Sequence, residues 1–451
     1  MATQERKAVV AVTDGGGRGS VIVEAYLKSP HVEKVLVFPG NDMMAEERSD
    51  RVALFPGIKT SDVDQIIALS KENGVTHIDI CQDNAVQAGV SDAAFLHGIK
   101  VIGPTSVAGR IEWDKEYARR LGDTAEIPQP DWVAFSTIRE AEGWLDKMPE
   151  RKMFVKATGL AEGKGSIRAS NKQEALDAIK RLKKEHPMAS ERFLIEKALV
   201  GEESSTFAVS DGTNFIVVGS AQDHKHEKDG DKGDMKGGMG AVSNPLLMRD
   251  VVLQEGTESN ISKMLAAKRE EGNPYRGWIF HGGMAIPIGN DRLKQFLLEW
   301  NARLGDPEAQ VILPGLNIDL LELGDAIVDG DISGLDIRND GKVRVVVAVA
   351  SRGYPRSYKA VRNKEVKSLP ELRRLDGINI YGAGIKMEES KHYIAGGRLF
   401  YIMTEGIDVL EAREKLSVVL EIVEGMDGEN VRFRTDIGWR DVERLRQKSL
   451  Q

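Results

Sequence analysis

An α/β protein of several domains is the fold class this sequence predicts, and three observations predict it. The chain has 451 residues, too many for one hydrophobic core, so about two to four domains are expected. Its first hundred residues alternate short apolar runs with helical stretches, the pattern of a parallel sheet covered by helices. Later sections mix strands and helices without that alternation, as α+β arrangements do.

The elements follow in order. KAVVAVT (7–13) reads as a buried strand, DGGGRGS (14–20) as a turn, and VIVEAYLKS as a helix. KVLVFPG (34–40) is a second strand. VDQIIALSKENG (63–74) has helical spacing and a glycine stop. THIDICQD (76–83) is a third strand, AGVSDAAFLHG a helix and IKVIGPT (99–105) a fourth strand. Ligands of such sheets bind at the carboxyl ends of the strands. GPTSVAGRIEWDKEYARRLG (103–122) opens a new section whose helix carries Lys115. RKMFVKATG (151–159) is a strand entering a glycine loop. NKQEALDAIKRLKKE (171–185) is an amphipathic helix, and RFLIEKALVGEE (192–203) a strand with its connection. The polar, glycine-rich segment 219–243, GSAQDHKHEKDGDKGDMKGGMGAVS, is too long for an ordinary connection and is expected to be disordered or functional. VRVVVAVASRGYP (343–355) begins a last section. It has strands near 380 and at 399–403 and a helix at DVLEAREKLSVVLEIVEG (408–425).

Composition excludes several function classes. A net charge of −8 argues against a general nucleic-acid binder, which would carry a basic stripe. The one cysteine, Cys81, rules out an internal disulfide and a multi-cysteine zinc site, and it fits a reducing compartment. It reads as a small buried residue at a strand end. The N-terminus MATQERKAVVAVTDGGG has too short an apolar run for a signal peptide. No run approaches the roughly 18 apolar residues of a membrane span. A cytoplasmic protein without membrane or nucleic-acid partners is expected.

Two stretches carry chemistry. KATGLAEGKG (156–165) follows a strand, but a Walker loop needs four residues between its first glycine and Gly-Lys, and Gly159 and Gly163 have three between them. A glycine-rich hairpin is the other phosphate cradle, since bare backbone N–H groups can approach the oxygens, with Lys156 supplying a cation. A flexible hairpin with solvated lysines is the plain alternative. DGGGRGS nearly matches a dinucleotide turn, with Ser20 in place of the last glycine; Arg18 adds a charge there or is a solvated turn residue. In LLEWNARLGDPEAQ (297–310), Glu299, Asn301 and Arg303 alternate with apolar residues and share one face of a strand. Carboxylate and amide oxygens suit Mg²⁺ that keeps phosphates in its other positions. The plain alternative is an edge strand with a wet face. Together the stretches suggest phosphoryl transfer without a Walker loop.

At this point the sequence resembles the ATP-grasp superfamily and, within it, the phosphoribosylamine–glycine ligase (glycinamide ribonucleotide synthetase) family. The matching runs are GPTSVAGRIEWDK (103–115), KATGLAEGKG (156–165), LIEKALVGEESS (194–205), QDHK (222–225), GDKGDMKGGMGAVS (230–243), EWNARLGDPEAQ (299–310), GYP (353–355) and FRTDIGWR (433–440). The resemblance implies an N-terminal parallel-sheet domain (1–112), a central ATP-grasp domain (113–131 and 199–342), a small α+β ATP-clamp domain inserted in it (132–198) and a C-terminal domain (343–451). It implies ATP with Mg²⁺ or Mn²⁺, and glycine and 5-phosphoribosylamine as the other substrates of a monomer or weak homodimer.

By the same resemblance, Lys115, Lys156, Gly159, Gly163, Lys164 and Gly165 hold ATP phosphates. Glu196, Lys197, Ala198 and Leu199 line the adenine, and Glu203 holds the ribose. Glu299 and Asn301 bind the metal. Asp223, Lys225, Arg303 and Asp306 face the glycine and acyl-phosphate region. Gly16, Gly17 and Arg18 meet the phosphate of phosphoribosylamine, with Asp83 orienting its amine or a ribose hydroxyl. The chain departs from the family where Gly19-Ser20 replace Glu-His, where Cys81-Gln82-Asp83 replace Gly-Pro-Glu, and where Thr158 replaces Asp. The first two departures fall on the amine-substrate side. Competing expectations are another ATP-grasp ligase or carboxylase, a non-catalytic ATP-binding relative, and, on DGGGRGS alone, a nicotinamide oxidoreductase.

Overall fold

A computed structural model describes residues 7–161, 163–235, 237–289 and 292–449. The N-terminal alternation folds as a five-stranded parallel sheet. In spatial order its strands are Val52–Leu54, Val32–Val37, Ala8–Val12, His77–Asp79 and Lys100–Ile102. The strand Val52–Leu54 was not expected from the sequence; three residues are too few to show a period. Chain order reverses at Ala8–Val12, so the crevice beyond that strand, at Gly15–Gly17, is the topological switch point. Helix Val63–Glu72 stops where Gly74 takes φ +67°, as the glycine signal implied.

A four-stranded antiparallel sheet follows, in the order Trp132–Phe135, Phe193–Lys197, Met153–Ala157 and Ser166–Ala169. Helices Ile138–Leu145 and Lys172–Glu185 pack on it over Leu145, Val155, Ile179 and Phe193. A Thr137/Glu140 capping box starts the first, and Asn171 caps the second.

The rest of the chain is organised on one nine-stranded sheet. It runs from the edge strand Leu293–Asn301 through Arg276–Pro287, Glu202–Asp211, Phe215–Asp223 and Gly240–Ser243. It continues without a break through Val343–Ser351, Arg398–Gly406 and Ile378–Gly382, with Val431–Arg432 paired to Val343–Ser351. The sheet therefore crosses residue 343, where a new section began in the sequence. Val343–Ser351 is buried along its whole length, which is why it reads as a continuous apolar run.

The polar segment 219–243 corrects one of the two expectations for it. Its described residues are ordered: Phe215–Asp223 and Gly240–Ser243 are sheet strands, and between them His226–Lys228 pairs with Lys232–Met235 as a hairpin. No helix among the described residues is long and apolar enough to cross a membrane.

Candidate functional site

Three elements bring the expected phosphate-binding residues together. Helix Lys115–Thr124 is capped by Asp114, whose Oδ1 accepts from the Tyr117 N–H at 3.0 Å, and Lys115 is its first residue. The Lys115 N–H donates to the Thr158 carbonyl at 2.9 Å, tying that helix start to the glycine hairpin. The hairpin is built as its glycines require. Gly163 has φ +73°, a Cβ on Gly165 would lie 2.9 Å from the Ala161 Cβ, and one on Gly159 would press on the Ala189 backbone at 3.1 Å. Thr158, the departure here, donates its hydroxyl to the Arg192 carbonyl at 2.9 Å and braces the hairpin base.

Glu299 and Asn301 lie on the edge strand in register with Gly282 and Phe280. The strand is an edge, as the plain alternative supposed, yet Asn301 is buried and Glu299 half-buried. Burial pushes the Glu299 carboxyl up, but Lys225, Lys156, Lys115 and Arg303 outweigh it and hold the group below its ordinary range. Four cations from four parts of the chain thus converge on one carboxylate. Three of them have carboxylates of their own. Lys156 Nζ is 2.8 Å from Glu196 Oε2, Lys225 Nζ 2.9 Å from Glu203 Oε2, and Arg303 donates to Glu112 Oε1 at 2.8 Å. Lys115 makes no ion pair among the described residues. Its partly buried ammonium is held below its ordinary pKa by burial, against the pull of Glu299. A desolvated ammonium that shares the Glu299 carboxylate with three other cations and has no ion-pair contact among the described residues suits an anionic ligand.

Glu196 is the deepest member of the set. Arg119 Nε reaches its Oε1 at 2.7 Å, and Lys156 its Oε2. Burial would raise this carboxyl, but Arg119 and Lys156 hold it at about 2. Its side chain is therefore engaged inward, and just beyond it the Lys197 and Ala198 N–H groups donate to the Asp131 and Lys152 carbonyls at 2.9 and 3.1 Å. Lys197 is exposed, 3.8 Å from Asp131, while Ala198 and Leu199 are half-buried. Lys164 is exposed beside Gly163 on the hairpin.

A cavity of about 510 Å³ opens at the switch point. Gly15, Gly16, Gln82 and Asn84 line it from the N-terminal sheet, Asp306 from the loop after the edge strand, and Tyr354, Arg398 and Tyr401 from the last section. Arg398 NH2 donates to Asp306 Oδ2 at 2.7 Å, and Gln310 Nε2 donates to Asp306 Oδ1 at 2.8 Å. Gly17 sits against Tyr401, since a Cβ there would fall 2.1 Å from the ring. Arg18 is placed differently from the expectation. It is buried, its Nε donates to Asp14 Oδ2 at 2.7 Å and its NH1 to the Leu304 carbonyl at 3.0 Å, and it does not line the cavity. Asp83 also stands outside the lining; its Oδ1 accepts from the Asn84 N–H at 2.8 Å.

The departures resolve into packing and lining. Gly19 faces Asp14, where a Cβ would lie 2.7 Å from Asp14 Cβ, and the Ser20 hydroxyl donates to the Gly382 carbonyl at 2.6 Å. Cys81 is buried with its thiol on Asp79 Oδ1 at 3.3 Å. Of these substituted positions, Gln82 alone lines the cavity.

Sequence reasoning missed Glu112, Arg119, Glu308, Arg398 and Tyr401. Burial, and then Arg303 and Asp83 acting in opposite directions, leave the Glu112 carboxyl at about 7. Burial and then Asp223 push Glu308 from 4.5 to about 8. Glu308 so raised binds its proton more tightly folded than unfolded, and stability falls as pH climbs from about 4.5 through about 8. Glu308→Gln should therefore leave Tm unchanged at pH 4.5 and raise it at pH 8, by roughly 1–2 kcal/mol of stability in thermal unfolding.

Comparison with known proteins bears on the family. Models of the phosphoribosylglycinamide synthetase N domain, ATP-grasp (A) domain and C domain match residues 8–112, 113–309 and 344–440. The chain is 32% identical over 436 residues to a phosphoribosylamine–glycine ligase of Brucella melitensis, covering 96% of this chain and 98% of that one. It is 33% identical over 432 residues to one from Streptococcus pyogenes, covering 95% and 98%. The crystal structure of phosphoribosylamine–glycine ligase from Thermotoga maritima matches with a TM-score of 0.76 at 26% identity, covering 95% and 100%. The biotin carboxylase domain of Hydrogenobacter thermophilus 2-oxoglutarate carboxylase, solved with MgADP, has a TM-score of 0.70 at 15% identity over 95% and 92%, a likeness of fold alone. With three domain models in sequence and identity above 30% along nearly its whole length, the chain belongs to the phosphoribosylamine–glycine ligase family of ATP-grasp enzymes.

Proposed function

We propose that this chain joins glycine to 5-phosphoribosylamine at the expense of ATP, in purine biosynthesis in the cytoplasm. The γ-phosphoryl group passes to the glycine carboxylate, giving glycyl phosphate and ADP. The amine then attacks the acyl carbon, phosphate leaves, and glycinamide ribonucleotide forms after loss of a proton from nitrogen. The observation that carries this reading is Lys115, a partly buried ammonium without an ion-pair partner among the described residues, set beside Glu299 and Lys156. In this reading it takes a phosphate oxygen.

In this reading the glycine hairpin and Lys156 hold the phosphate chain while the backbone of Glu196–Leu199 faces the base. Glu203 reaches the ribose. Lys225 and Arg303 neutralise charge on the transferred group, which is where phosphoryl transfer gains most. Asp223 and Asp306 orient glycine, and the cavity at Gly15–Gly16 receives phosphoribosylamine. The Glu299 carboxylate and Asn301 amide are hard oxygen donors and fit Mg²⁺ or Mn²⁺. Two protein oxygens suffice for an ion that arrives on the polyphosphate, and such an ion would neutralise charge on it. Arg18 acts behind the cavity, bracing Asp14 and Leu304, in place of the phosphate contact first expected.

ADP release from Mg-ATP and glycine, with and without freshly generated 5-phosphoribosylamine, tests the assignment. Turnover that needs both substrates, with glycinamide ribonucleotide seen by mass, is expected. Tight Mg-ATP binding without such turnover would keep the nucleotide site and discard the amine.

A further inference from the structure

The run FRTDIGWR (433–440) is given no role in the reaction above, yet it is where the last section grips the hairpin His226–Met235. The grip is dense and charged. Arg434 is fully buried. Its NH1 donates to the His226 carbonyl at 3.1 Å and to Asp231 Oδ1 at 2.9 Å, while Nε and NH2 both reach Asp436 at 2.7 Å. Asp436 in turn accepts from the Gly230 N–H at 2.8 Å. Arg440 donates to the other oxygen of Asp231 at 2.6 Å, and the Thr435 N–H to Asp229 at 3.0 Å. At the base of the hairpin the Gly438 N–H donates to His224 Nε2 at 3.0 Å.

The residues so held flank the reacting region. His224 lies between Asp223 and Lys225, and its backbone is paired on both sides, N–H to the Gly240 carbonyl at 2.9 Å and carbonyl from the Met239 N–H at 2.8 Å. Lys225 is poised 2.9 Å from Glu203 and 4.0 Å from Asp223. A ten-residue connection this polar has little apolar surface of its own to bury, so its order must come from outside. A planar guanidinium that binds a carboxylate, a carbonyl and a second carboxylate at once fixes geometry as well as charge.

We propose that Arg434, with Asp231 and Asp436, is a positioning device by which the C-terminal segment sets Lys225 and Asp223 for the transfer step, touching no substrate itself. The inference rests on the roles given above to Asp223 and Lys225. Lys115, Lys156 and the glycine hairpin lie outside these contacts, so nucleotide binding should be spared.

Arg434→Lys and Asp231→Asn test this, the second because a buried arginine can be needed for folding. In the folded variants kcat should fall about tenfold or more and the glycine KM should rise, with the ATP KM within about twofold of wild type. Hydrogen–deuterium exchange of amides 226–235 should quicken by about tenfold or more in the same proteins. Faster hairpin exchange with unchanged kcat and glycine KM would reduce the contacts to scaffolding and overturn the proposal. Lost turnover with unchanged exchange in both variants would overturn it too. A wild-type chain that forms no glycinamide ribonucleotide removes the reaction assigned above but not the exchange comparison. There, unchanged exchange in both variants overturns the device by itself.

Discussion

Glu299→Ala is expected to lower kcat by about a thousandfold or more while leaving the circular dichroism spectrum unchanged. The carboxylate is not part of the apolar packing. It stands on an edge strand with Lys225, Lys156, Lys115 and Arg303 around it, so its loss removes the one anion they share. Glu299→Gln should fail as badly, since an amide keeps the shape but not the charge. The measurement is ADP release over a Mg²⁺ titration. Full activity of the alanine variant with Mg²⁺ would sink the metal assignment.

Arg119→Met should be the most destabilising single change around Glu196, by about 3–5 kcal/mol, because it strands a buried carboxylate with one cation instead of two. Arg119 and Glu196 are both nearly inaccessible, and Arg119 NH2 also donates to the Leu298 carbonyl at 2.6 Å, next to Glu299. With its folded-state pKa near 2 against an ordinary 4.5, Glu196 contributes stability that is complete above about pH 4.5 and is lost as pH falls toward 2. In the variant the carboxyl rises, and the acid limb of the unfolding curve should move to higher pH. A variant with wild-type Tm and the same acid limb would show that the pair contributes nothing.

How much of this was legible beforehand differs between parts of the chain. The parallel sheet was readable because its longer strands are unbroken apolar runs between glycine turns, and Val343–Ser351 because both its faces are covered. The shared strand face of Glu299 and Asn301 was readable because polar residues at a spacing of two on an apolar strand demand a reason. The hairpin at 226–235 was not, because what orders it comes from arginines some two hundred positions away. Arg119 sits on an ordinary polar helix, and nothing local shows that its partner is Glu196. Arg18 misled for the opposite reason: a glycine-rich turn advertises a phosphate, but here the cation is consumed by Asp14 and Leu304.

The unbroken nine-stranded sheet has a consequence for how the protein is made. Synthesis runs from the N-terminus, and Gly240–Ser243 gains its outer neighbour only when Val343–Ser351 has left the ribosome. Until then it is an unpaired sheet edge, and the hairpin before it waits for Arg434. A nascent chain that already contains Lys115, Lys156 and Glu299 is thus sticky and unfinished, and it should lean on chaperones until Val343–Ser351 and then Arg434 emerge. Fragments ending near residue 342 should aggregate instead of binding nucleotide.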